Sequence, residues 1–392
     1  MKRIAIVTPV FDPESEDRKK RNIVNLSNKL FHLGNRVTVF TTTALSTRTY
    51  KPYFKKGEFI YRGIDVLRFD SKIKKQYSSF QLFTKWIFSG LHSRRDENNW
   101  HRQAGPVVPE LLNKIQELEE NFDYFFIYGE HSFLNVNIVK KIKKPKILFV
   151  LEDKSEILGL DIFRETLENS DVLVFYSQAQ RELYFRIFDS IKDKKNYIIY
   201  PITEEKVRSD DIAKFKFKHR INNPYLFYYG PLNKASGVGR LLKYFLYYKK
   251  LNFASLDLLL MGKREMPLLE DSSITILEIY DNKAVFTALK GALFSVHPSL
   301  KDVLSYDMML SLKAGKTFIA DERNHNYKDF IDRTKAGIGY SSYFEFQEGV
   351  NYLLSNKEIR QKLNRRAYNL YRNRYREEII LEGFLKFLES LL

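Results

Sequence analysis

The hydrophobic pattern alternates between two periods. Arg3 to Phe11 is a short β-rich run, Asn22 to Leu33 sets Ile23, Leu26, Leu30 and Leu33 at helical spacing, and Arg36 to Thr43 returns to a strand pattern after Gly34-Asn35. Such a βαβ unit predicts a parallel sheet with helices on its faces. Further strand patterns follow at Phe122 to Tyr128, Lys146 to Leu151 and Val172 to Tyr176. A second series starts after Asn222-Asn223-Pro224, with runs at Tyr225 to Tyr229, Leu256 to Met261, Ser273 to Leu277, Ala292 to His297 and Thr317 to Ala320. Two sequential series predict two doubly wound α/β domains. The polar stretch between Pro201 and Pro224 reads as their linker. Phe80 to Gln103 breaks the alternation, with Trp86, Ile87, Phe88, Leu91, Arg94-Arg95 and Trp100. It reads as a helical insertion whose aromatic face packs on the first domain, or as a basic, aromatic surface for a membrane or an amphiphilic acceptor.

Length supports the division: 392 residues with 44% hydrophobic positions exceed what one core holds, which is roughly 250–300 residues. The chain has no cysteine, so disulfides, thiolate nucleophiles and Cys-ligated metals are excluded. Met1-Lys2-Arg3 and the apolar run after it resemble the start of a signal peptide, but Pro9 interrupts the run and Asp12-Pro13-Glu14 replaces a small-residue cleavage site. No apolar run approaches the roughly 18–20 residues that span a bilayer. The expected location is therefore cytoplasmic, at the inner face of the membrane if the insertion contacts lipid. Lys and Arg outnumber Asp and Glu by 65 to 48, a formal charge of +17, which points to anionic partners. The basic residues are spread along the chain with no nucleic-acid-binding motif, so nucleic acid is not an expected partner.

Ligands of open parallel sheets bind beyond the carboxyl ends of strands, where phosphates meet helix N-termini. Gly230, closing the first strand of the second series, opens a loop through Lys234, Ser236 and Gly237 that suits a diphosphate; its bland alternative is a plain strand-to-helix turn. Gly237-Val238-Gly239 and Gly337-Ile338-Gly339 lack the third glycine of a dinucleotide fingerprint. Gly315-Lys316-Thr317 lacks the first glycine of a nucleotide-binding loop, since Leu310 stands there. Scattered histidines and the lack of an Asp-x-Asp triplet predict neither a metal site nor a cofactor.

In order along nearly its whole length, the chain resembles the GT-B glycosyltransferases, specifically the retaining family 4 type. Ile4 to Pro13 looks like the opening strand and acceptor-side loop, Leu33 to Thr41 the second strand, and Ser170-Asp171 to Ser177 a late strand of the first domain. Tyr229-Gly230 to Gly237-Val238 resembles the phosphate loop, Leu260-Met261-Gly262 the next strand end, and His297-Pro298-Ser299 with Ala314-Gly315-Lys316 the donor motif. The resemblance implies two Rossmann-like domains facing each other across a cleft: an acceptor-side domain at 1–205 with its insertion at about 80–120, a nucleotide-sugar domain at 206–370, and a closing helix at 371–392 that packs back on the first domain. It also implies a nucleotide-sugar donor and a glycan, lipid-linked or protein acceptor. Donor contacts then fall to Gly230, Lys234, Ser236, Gly237, Gly262, Lys263, Pro298, Ser299 and Lys316, catalytic roles to Asp302, Glu152 and His131, and acceptor-side roles to Phe11, Trp86, Arg94 and Arg95.

The chain departs from the family at key positions. Pro231 and Ser236 replace the loop's arginine and lysine, Leu310 replaces the second residue of an acidic pair, and Glu152 falls where a histidine is common. Glu16-Asp17-Arg18 stands in place of a glycine pair, and Pro201-Ile202-Thr203 in place of a Pro-Asn-Gly turn. Two readings follow: a metal-independent retaining transferase with an altered donor site, or a catalytically deficient subunit that binds an acceptor or stabilises a partner glycosyltransferase.

Overall fold

A computed structural model describes residues 1–13, 18–72, 77–151, 158–203, 208–252, 255–279, 281–301 and 303–391. By their contacts these form two units: Met1–Tyr176 with Gln180–Ile199, and Ser177–Ala179 with Tyr200–Leu392.

The first unit holds eight strands among its described residues: β1 (Arg3–Val7), β2 (Arg36–Thr42), β3 (Gly57–Tyr61), β4 (Ile64–Phe69), β5 (Tyr124–Tyr128), β6 (Lys146–Phe149), β7 (Val172–Phe175) and β8 (Lys195–Ile198). They are ordered β3-β4-β2-β1-β5-β6-β7-β8. Only β3 runs antiparallel, paired with β4 from Gly57–Arg68 to Tyr61–Ile64. The expected alternation is present in β1, β2, β5, β6 and β7, whose residues are almost all buried because helices cover both faces. Phe125, Ile127, Leu148, Leu173 and Tyr184 centre the core. Helices Tyr77–Ile87, Arg94–Ala104 and Pro109–Leu118 fill the segment that broke the alternation. Their inner face is aromatic: Phe80 stacks on Trp100 at 5.9 Å, and Trp100 meets Phe163 edge-on at 6.4 Å.

The second unit's sheet contains β9 (Tyr225–Tyr229), β10 (Asp257–Met261), β11 (Ile274–Leu277), β12 (Ser295–His297), β13 (Phe318–Asp321) and β14 (Gly337–Tyr340). All are parallel in the order β11-β10-β9-β12-β13-β14. The strand order reverses between β9 and β12, which makes a topological switch point there. Leu226, Leu258, Leu260, Val296 and Phe245 pack one face, and Phe227, Leu259, Val285 and Leu289 the other. The last helix, Glu377–Glu389, belongs to this unit by its contacts.

Candidate functional site

Beyond the carboxyl ends of β9 and β10, two loops are locked backbone to backbone. Gly230 N–H donates to Met261 O (2.9 Å), Leu232 N–H to Lys263 O (2.8 Å) and Glu265 N–H to Leu232 O (3.1 Å). This requires glycine at 262: its φ is +147°, and a Cβ there would lie 1.9 Å from the Gly230 carbonyl oxygen. Leu232 is buried and anchors the loop in the core. A tight turn follows, in which Asn233 Oδ1 accepts from Ser236 N–H (3.0 Å) and Ser236 Oγ donates to Asn233 O (2.8 Å). Lys234 is thereby held at the exposed tip, while Ser236 is buried and its hydroxyl proton is committed to the turn.

At the switch point the loops after β9 and β12 touch. Gly237, at φ +78°, would place a Cβ 2.2 Å from the Pro298 carbonyl oxygen. The helix Val238–Asn252 starts immediately afterwards, so its first amides face this corner. From its first turn Arg240 donates through Nη2 to Pro298 O (2.7 Å) and to Asp321 Oδ2 (2.7 Å). Asp321, the fully buried last residue of β13, also takes a bidentate grip from Arg323, with Nε at 2.9 Å and Nη2 at 2.6 Å. Two guanidiniums thus share one carboxylate, and the bond to Asp321 raises the Arg323 pKa further. The Arg323 side chain remains 41% exposed, enough to reach a ligand. Asn324 Nδ2 holds Ser299 O at 3.1 Å, so Pro298 and Ser299 are fixed through their carbonyls.

The structure therefore gathers Gly230, Lys234, Ser236, Gly237, Gly262, Lys263, Pro298 and Ser299 at one end of the sheet. Lys316 is elsewhere, which corrects its expected donor role. It precedes β13, at the amino end of the strand, and its Nζ donates to Ala292 O. Burial first, then Lys290 and Arg360, push its pKa down to about 8. Leu310 is buried in the core of the second unit. Asp302 and Glu152 lie outside the described residues. Asp321 and Arg323 were missed by sequence reasoning; the available signal was an ionisable residue ending a strand beside the switch point.

In the first unit His131 is exposed just beyond β5. Its carbonyl accepts from His101 Nε2 at 3.1 Å; burial lowers the His101 pKa to about 3, so that ring is neutral and donates. Next to it Glu130, fully buried, accepts from Tyr184 Oη (2.6 Å) and from Leu151 N–H (2.9 Å), tying the end of β6 to the end of β5. Phe11 is fully buried, its ring edge-on to Tyr61 at 6.3 Å, so it is a wall of the fold and not a surface contact. Trp86 is 42% exposed and stacks on Phe83 at 5.6 Å. Arg94 is ion-paired with Asp161 (3.2 Å) and Glu165, whereas Arg95 is exposed. No helix among the described residues is long and apolar enough to cross a membrane.

Among solved structures, the chain matches a sucrose-phosphate synthase from Thermosynechococcus elongatus at 13% identity and TM-score 0.73, covering 100% of this chain and 99% of that one. An alpha,alpha-trehalose 6-phosphate synthase from Burkholderia multivorans matches at 13% identity and TM-score 0.68, with 100% and 99% covered. Anabaena HepE, solved in complex with UDP, matches at 11% identity and TM-score 0.69 over the full length of both chains. The chain has the GT-B fold. No protein-family model matches it, and no curated protein does. Within the GT-B frame, the six-stranded sheet and its switch-point loops form the second Rossmann-like unit.

Proposed function

We propose that this protein is a glycosyltransferase of the retaining type, similar to family 4, that takes a sugar from a nucleotide-sugar donor. The observation that carries the reading is the switch-point corner, where glycine-fitted backbone, the start of the helix Val238–Asn252 and the Arg323 guanidinium converge. A diphosphate seated there meets Arg323, Lys234 and Lys263, with the first amides of the helix behind it. These fixed charges favour the departing diphosphate as its charge grows, so side-chain cations supply the stabilisation. In this reading Asp302 orients the transferred sugar and either Glu152 or His131 faces the acceptor, roles taken from the sequence and its family resemblance.

Calorimetry of the full chain against UDP-, GDP- and ADP-sugars tests this. Arg323→Ala is expected to weaken binding of the preferred donor on the order of tenfold or more, the worth of one charge-assisted phosphate contact. Arg240 still partners Asp321 in that variant, so the fold survives. Equal affinity in both proteins overturns the assignment of Arg323.

The second reading, a non-catalytic subunit beside a partner glycosyltransferase, is favoured by one feature: buried Leu310 occupies the position where the family has an acidic ribose ligand. Full-chain protein that binds none of the nucleotide sugars and co-purifies with an active glycosyltransferase establishes it and removes the first.

For the acceptor we infer a lipid-linked glycan reached at an anionic membrane face. Leu82, Trp86 and Leu91 stand exposed next to Lys85 and Arg95, an apolar and cationic mixture suited to a headgroup boundary. The protein is expected to sediment with phosphatidylserine vesicles, and Trp86→Ala to lose most of that binding. Equal sedimentation with and without Trp86 overturns it.

A further inference from the structure

At the opposite end of the second unit's sheet lies a groove of about 400 Å³, walled by the end of the helix Asn282–Gly291, the turn at Gly315 and the helix Lys357–Leu370. Its size suits a small phosphorylated metabolite. Lys290 and Arg365 line it, and Lys316 and Arg360 stand close enough to each other to interact electrostatically. Among the described residues none of these four is paired with a carboxylate. Lys316 and Arg360 are held by backbone carbonyls, of Ala292 and of Leu353 and Leu354. Lys290, half-buried over the Phe286 ring, and exposed Arg365 have no such anchor.

Cations gathered without an acid raise one another's free energy; the Lys316 pKa is lowered first by burial and then by Lys290 and Arg360. An anion entering the groove relieves that repulsion. The remaining wall is suited to a sugar: Tyr368 offers a ring 45% exposed, and Asn364 and Asn369 offer amides. Asn364 spends its oxygen on Thr317 N–H at 2.7 Å, which leaves its NH₂ group for a ligand.

We propose that this groove binds a sugar monophosphate, with Lys290 and Arg365 on the phosphate and Tyr368, Asn364 and Asn369 along the sugar. The site is separate from the switch-point corner, because Lys290 and Gly315 precede β12 and β13 whereas Pro298 and Asp321 stand at or beyond the ends of those strands. The three residue steps of β13 alone put about 10 Å between the two ends.

Ribose 5-phosphate, inorganic phosphate and ribose are the probes, titrated by calorimetry into the full chain and into a Lys290→Gln/Arg365→Gln variant. Arg365 is exposed and Lys290 half-buried, and an unchanged thermal midpoint verifies folding; Arg365→Glu alone is the second variant. The expected result is millimolar or tighter binding of ribose 5-phosphate, stronger than phosphate or ribose, weakened at least about tenfold in the double variant and in Arg365→Glu. Arg323→Ala, at the other end of the sheet, is expected to leave it unchanged. Binding that survives the double substitution, that falls with Arg323→Ala instead, or that is absent from the parent protein at about 10 mM overturns the site. Phosphate binding as tight as ribose 5-phosphate overturns the sugar half of the assignment.

Discussion

Gly262→Ala is expected to unseat the donor-side loops of the second unit and to lower its stability by roughly 3–5 kcal/mol. The added Cβ would lie 1.9 Å from the Gly230 oxygen and 2.8 Å from its carbonyl carbon. Both are backbone atoms of a neighbouring strand end, so no rotamer change relieves the overlap. Moving either loop by about 1 Å breaks Leu232 N–H to Lys263 O and Glu265 N–H to Leu232 O, each worth roughly 0.5–1.5 kcal/mol. The φ of +147° adds strain that any L side chain bears. A control of opposite character is close at hand. Gly239→Ala lies in the first turn of a helix, where its Cβ would meet only the flexible end of Met266 at 3.4 Å, and is expected to be neutral or slightly stabilising. Thermal unfolding followed by limited proteolysis of the second unit measures both. Gly262→Ala with parental stability would contradict the locked pair of loops.

Most strands that sequence reading recovered are buried on both faces, so apolar residues run nearly uninterrupted and no partner knowledge is needed; the half-buried edge strand β11 was recovered from its alternating Ile-Thr-Ile-Leu. β3 and β8 escaped because they are edge strands, and the interior strand β4 escaped because Asp65 and Arg68 interrupt its apolar run. Phe59 and Ile60 of β3 are exposed, and β8 is Lys-Asn-Tyr-Ile. β14 escaped for another reason. Its Gly337-Ile338-Gly339 was weighed as a nucleotide fingerprint, yet Gly337 is small because a Cβ there would fall 2.4 Å from the Phe318 ring on β13. The site was legible to the same extent. Glycines that follow a strand announced the switch-point loops, since only a close backbone approach asks for them in that place. Lys316 misled because its donor role came from the resemblance of Ala314-Gly315-Lys316 to a family motif: a residue that follows a helix and precedes a strand sits at the amino end of a parallel sheet, away from the loops that bind donor. Arg240 and Arg323 could not be paired from sequence, because their link is Asp321, 81 positions from one and 2 from the other.

Asp321→Ala is expected to cost roughly 3–5 kcal/mol, the usual penalty for removing one member of a buried charge pair. The carboxylate is fully buried and answers two guanidiniums, and the Arg240 side chain is itself only 24% exposed. Without Asp321, Arg240 keeps a single bond, to Pro298 O, and carries an uncompensated charge into a poorly solvated corner. The cost is then mostly the stranded charge and not the lost attraction, and this has a measurable consequence. Arg240→Met added to Asp321→Ala should restore part of the stability, since the double variant no longer buries an unpaired cation. Strict additivity of the two losses in a thermal or denaturant series would refute the shared-carboxylate arrangement. Asp321→Asn separates stability from function: the amide keeps the shape and one acceptor oxygen but releases Arg323 from its neutralising partner. If Arg323 meets the donor diphosphate, the folded Asp321→Asn protein gains positive potential at that corner and binds nucleoside diphosphate more tightly than the parent. If Arg323 serves only to hold β13 in place, affinity falls together with stability, so the sign of the change decides between a ligand-binding and a structural guanidinium.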